Sequence, residues 1–154
     1  METLKINIPK GFKIGSFDQK TGEVTFIETP KEVIERVKSF DDVLLELSIS
    51  SQVFDEKVRE LEPDEKAYIQ VKHIVKALNE GWEPNWEDSN QYKYYPWFEM
   101  GSPSGSGFSF DDYDGWFTIS HAGSRLCFKS KELAEYAGKQ FLEIYKQFLS
   151  LNKE

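Results

Sequence analysis

The chain has 154 residues, 39% hydrophobic, 15% aromatic and 30% charged, with a formal net charge of −8. Its length predicts one domain, 1–154, with a sizeable core; its aromatic content excludes general disorder, and its negative charge disfavours binding to nucleic acid. A lone cysteine, Cys127, excludes an intrachain disulfide, and no apolar leader or apolar run near 18 residues is present. These features predict a cytoplasmic protein with no membrane partner.

Residues 3–8 alternate apolar and polar with period two and read as a strand. Phe12, Ile14 and Phe17 continue on an extended path, Lys20-Thr21-Gly22 is a turn, and 23–28 is a second strand with Val24 and Phe26 on one face. The two segments are expected to pair antiparallel. Thr29-Pro30-Lys31-Glu32 has the pattern of a helix start, and Ser39-Phe40-Asp41-Asp42 has that of another. Ser48 to Ser51 breaks the second helix, and a charged connection runs to Glu62.

Pro63 opens a longer helix whose stripe is Ala67, Val71, Ile74, Val75 and Leu78, ended by Gly81. Trp82-Glu83-Pro84-Asn85-Trp86 reads as a loop folded back and pinned by two buried indoles, packed on the stripe. The span Trp82 to Phe117 holds 12 of the chain's 23 aromatic residues, including all four tryptophans. Within it, 92–99 is a strand interrupted by Pro96, which implies an edge or a bulge. Gly101–Gly107 is a flexible loop, 108–111 a short strand and 112–115 a turn. Residues 116–120 and 125–129 form a hairpin around His121-Ala122-Gly123-Ser124. Ser130 caps a last helix over 131–151 with a broad apolar face. The expected fold is α+β: one antiparallel sheet, built from the N-terminal hairpin and the C-terminal strands, with helices packed on one face.

From Asn79-Glu80-Gly81-Trp82-Glu83-Pro84-Asn85-Trp86 onward the chain resembles a set of proteins encoded by phages and prophages of gut Bacteroidales. A second resembling block is Ser124-Arg125-Leu126-Cys127-Phe128-Lys129-Ser130-Lys131-Glu132-Leu133-Ala134-Glu135-Tyr136. Lys5-Ile6-Asn7-Ile8-Pro9-Lys10-Gly11-Phe12 is similar in style. The resemblance covers most of the chain. It implies a phage or mobile-element origin and brings no activity and no functional residues with it.

Chemistry-bearing motifs are sparse. His73 reads as an exposed polar residue beside its helix stripe. His121 and Cys127 are two ligands where zinc would want four. Ser120-His121 lacks a fixed third member of a triad. In Asp111-Asp112-Tyr113-Asp114-Gly115 the third position of a calcium loop would be Tyr113 and the twelfth Ala122, so the segment reads as an acidic turn. Gly101, Gly105 and Gly107 lack the lysine and hydroxyl of a phosphate loop. No catalytic residue, metal or cofactor is predicted, and an enzyme is the less favoured class.

Residues 82–114 carry one lysine against seven acids. An acidic stretch dense in rings reads as core, as a stacking platform or as a protein-binding surface, where tryptophan and tyrosine are the usual anchors. The expectation is a non-enzymatic accessory protein that binds a host or phage protein through Tyr92, Tyr94, Trp97, Asp111, Asp112, Tyr113 and Asp114. Gly101–Gly107 would close over the partner. The alternative is a nucleic-acid-associated protein with a basic face of Lys93, Arg125, Lys129 and Lys131.

Overall fold

A computed structural model describes residues 3, 5–101, 107–118 and 125–150. The chain forms two compact units, Met1–Glu32 and Val33–Glu154. The first is a hairpin of β1 (Phe12–Phe17) and β2 (Val24–Glu28). Residues 5–9 are not a strand, so the hairpin begins later than the alternation predicts. Its register pairs Phe12 with Glu28 and Phe17 with Val24, slipping by one residue at Gly15. A side chain at Gly15 would press a Cβ to 2.7 Å from Ile27 Cγ2, so the bulge requires glycine. Asp18 closes the turn by accepting from the Lys20 N–H at 2.7 Å.

The second unit is α+β, with a small antiparallel sheet backed by helices. It runs α1 (Val33–Arg36), α2 (Phe40–Glu46), α3 (Ser51–Val58), α4 (Pro63–Leu78), β3 (Lys93–Glu99), β4 (Ser109–Trp116), α5 (Lys131–Gln140) and α6 (Leu142–Leu149). The helix start expected at Ser39 is that of α2, where Ser39 and Asp42 form a capping box. Thr29 and Pro30 do not start α1, which begins only at Val33. The charged connection contains a helix: Ser50 caps α3, and Phe54 and Val58 join Leu44 in a small cluster beside the main core. Glu80 and Gly81 both take left-handed backbone after α4, at φ 50° and 84°.

The strands form two separate two-stranded sheets rather than the single sheet expected. β4 runs unbroken through the predicted turn at 112–115, and Trp116 pairs with Lys93. Of the expected hairpin over 116–120 and 125–129, residues 119–124 lie outside the described ones, and Phe128 pairs with Tyr94. It exchanges two backbone hydrogen bonds with Tyr94, at 3.1 and 2.8 Å, on the edge of β3 away from β4. Since N–H groups alternate along a strand, Pro96 also presents its nitrogen to that outer edge. It removes no bond to β4.

The core gathers Val71, Ile74 and Leu78 of α4 with Phe128, Ala134 and Phe141. Neither Trp82 nor Trp86 belongs to it; both are only half-buried, contrary to the expectation of pinned indoles. The last helix is two helices, broken at the buried Phe141. Asn79, at the end of α4, is buried and acts as a two-pronged clamp. Its side-chain amide donates to the Cys127 carbonyl at 2.8 Å, and its oxygen accepts from the Lys129 N–H at 3.0 Å.

Candidate functional site

Strand alternation sorts the expected binding residues onto two faces of the β3–β4 hairpin. Tyr94 pairs with Gly115 and Pro96 with Tyr113. This face meets α5, and Tyr94 and Tyr113 pack against the core. Tyr92 packs beside Tyr94 with the rings tilted and their centroids 4.7 Å apart, and burial raises the pKa of its phenol. The opposite face holds Tyr95 against Asp114 and Trp97 against Asp112. Asp111 sits at the bulge between the Trp97–Asp112 and Phe98–Phe110 pairs and is exposed. The seven residues therefore do not form one surface: Trp97, Asp112 and Asp114 share one face, and three tyrosines serve the other.

Around the outer edge of β3, beyond the Phe128 bridge, lies a cavity of about 250 Å³. Tyr95, Trp97 and Trp116 line it from the hairpin, Tyr68 from α4, and Tyr145 and Phe148 from α6. Asp114 is the only charged lining residue among those described. Its carboxylate accepts from the Gly115 N–H at 2.7 Å and meets no cation among the described residues. Tyr145 is buried, its hydroxyl has no hydrogen-bond partner among the described residues, and burial raises its pKa well above the usual range. Trp97 is 47% and Trp116 44% exposed, so the cavity mouth is ringed by accessible indoles. Tyr95, Trp116 and Tyr145 were missed by the sequence reading. The signal present was the period-two register of Tyr95 with Trp97, which puts them on one face.

The alternative basic face is not assembled as expected. Lys93 is fully buried. Its ammonium donates to the carbonyls of Asn85, Asp88 and Gln91 and lies 5.2 Å from the Trp86 ring centroid. Lys129 is tied to Glu80 at 3.1 Å. Arg125 and Lys131 are exposed.

His73 is half-buried rather than exposed, with Nδ1 2.7 Å from the Ile69 carbonyl oxygen and its ring edge-on to Phe54. Burial pushes the Cys127 thiol up to about 11, so it stays protonated at neutral pH and is a poor nucleophile. Among the described residues no three His, Cys, Asp or Glu side chains come together as a metal site, and no helix is long and apolar enough to cross a membrane. Residues 102–106 of the glycine-serine loop, and Ser120 with His121, lie outside the described residues. The chain matches no known protein-family model, no curated protein and no solved structure.

Proposed function

We propose that the protein is a non-enzymatic binding module that holds a basic, apolar-bodied side chain of a partner protein in the cavity at the edge of β3. The observation that carries this reading is a ring-lined cavity whose one charge among the described residues, Asp114, meets no counter-ion among them. Aromatic faces attract cations, and a nearby carboxylate adds to the same preference. A side chain filling the cavity gains about 1.5–3 kcal/mol from apolar burial and about 0.5–2 from the rings. That sum corresponds to roughly millimolar affinity or little better. The cavity therefore works as an anchor point within a wider contact, which favours a protein over a small free ligand. A phage or prophage setting, with a host or phage protein as partner, rests on the two resembling sequence blocks.

Selection of random peptides against the immobilised protein tests the reading. Enriched sequences should place Arg or Lys beside an aromatic or aliphatic residue, and Asp114→Asn and Trp97→Ala should each abolish the enrichment. The Asn variant keeps the acceptor used by Gly115, so its loss of binding reports the missing charge. Enrichment that ignores basic residues, or that survives both substitutions, would refute the proposal.

A further inference from the structure

A second cleft, remote in chemistry from the first, opens where α4 ends. Its volume is about 540 Å³, inside the ~300–1,000 Å³ range of small-molecule sites. Lys72 and Lys76 line it, one helical turn apart and so on the same side of α4. Arg125, Asn79, Cys127, Trp82 and Trp86 line the same cleft. Glu83 is the only acid in the lining among the described residues. Lys76 and Arg125 are exposed and make no hydrogen bond or ion pair among the described residues. Two exposed cations, Lys76 and Arg125, and two half-buried indoles thus line one cleft, with Lys72, whose ammonium lies 5.2 Å from the Tyr68 ring centroid, also in its lining.

We infer that this cleft binds a nucleotide unit, with the base stacked on an indole and the phosphate held by Lys76 and Arg125. An indole offers a flat stacking surface to any base, and such stacking tolerates sequence. Lysine and arginine bind phosphate by charge, arginine also through its planar fork. The net charge of −8 does not forbid this, because exposed charges beyond about 8–10 Å are screened at physiological salt. It does restrict the site to weak, salt-sensitive binding without the dense cationic surface that duplex DNA requires. A free nucleotide and a single-stranded segment present the same chemistry.

The four indole N–H resonances of the isotope-labelled full chain give a direct readout, recorded at about 50 mM salt where screening is modest. The ligands are adenosine monophosphate, adenosine, inorganic phosphate, a short thymidine oligonucleotide and an oligoglutamate peptide. The monophosphate or the oligonucleotide should shift two of the four indole signals saturably, while adenosine and phosphate alone should do so far less. Tighter binding of the oligonucleotide assigns the site to single strands, and tighter binding of the monophosphate assigns it to free nucleotide. The double substitution Lys76→Ala/Arg125→Ala should weaken binding about tenfold or more with an unchanged melting curve, since both side chains are exposed. No saturable shift up to about 5 mM, where even millimolar affinity would register, overturns the inference. So do unchanged affinity in the double variant and an equal response to oligoglutamate, the last pointing to an acidic protein instead.

Discussion

Lys93 is a cation without exposed surface, held by three backbone carbonyls and roofed by the Trp86 ring. A buried charge survives only when its hydrogen bonds are made, and here the 85–91 loop makes them all. Lys93→Met should strand those carbonyls and cost about 3 kcal/mol, visible as a lower urea midpoint. A midpoint unchanged by the substitution would show that water already serves the loop. Nothing in the sequence distinguishes Lys93 from a surface lysine, because its partners are main-chain groups that every residue carries. Its pairing with Trp86 also explains why that indole is no part of the core: it covers a cation.

Glu80 poses a different test. It accepts a hydrogen bond from Lys129 and sits 2.5 Å from Arg36, which also binds Glu46. The hydrogen bond from Lys129, then the charges of Lys129 and Arg36, hold its carboxyl below the usual range despite some opposing desolvation. A carboxylate depressed in the folded state adds stability above the unfolded pKa, about 4.3, and loses it as pH falls through the lower folded value. Glu80→Gln should therefore lower the melting temperature at pH 7 by a small amount, as befits a partly exposed pair. The gap to the parent protein should close below about pH 4. A constant gap from pH 7 to pH 3 would assign the effect to packing.

At the scale of elements, α5 approaches the β3–β4 hairpin through Gly138. A Cβ there would overlap the Phe110 ring, at 2.7 Å from its Cε2, and would lie 3.0 Å from Pro96 Cβ. Glycine inside a helix ordinarily costs about 0.5–1 kcal/mol relative to alanine. Overpacking costs about 1–3 kcal/mol, so the clash wins. Gly138→Ala should destabilise, and a higher melting temperature would show that Phe110 can swing aside.

Helix periodicity made α4 legible, and serine caps marked where α2 and α5 begin. The Ser50 cap of α3 was equally present but hidden by the charged residues that follow it, since α3 buries only Phe54 and Val58. The break at Phe141 leaves no mark because neither proline nor glycine occupies it and the apolar face continues across. Acidic residues at 111–114 imitate a turn. They are tolerated in β4 because Asp111 and Asp112 face solvent at a two-stranded hairpin. Of the candidate cavity, only the shared face of Tyr95 and Trp97 was readable from the alternation of β3. Tyr68, Tyr145 and Phe148 reach it only through tertiary packing, which no local pattern encodes.

At the scale of the whole molecule, every buried side chain described lies beyond Glu32. The β1–β2 hairpin has the register of a sheet and the composition of an interior, yet Phe12, Ile14, Phe17 and Ile27 are 39–51% exposed. Its two outer edges bond to no other strand among the described residues. Such edges are templates for further strands, and charge is one of the ordinary defences against that. Here the defence is global. At pH 7 the formal charge of −8 keeps copies apart, but the pI is about 4.9. Acidification removes the repulsion while leaving the sticky hairpin in place. Static light scattering should thus report repulsion between molecules at neutral pH and attraction near pH 5, with Ile14→Lys delaying the change. Equal scattering from parent and variant throughout the titration would exonerate the hairpin. The shelf life of a solution of this protein is then set by its least buried element, and mild acid is the condition under which it is shortest.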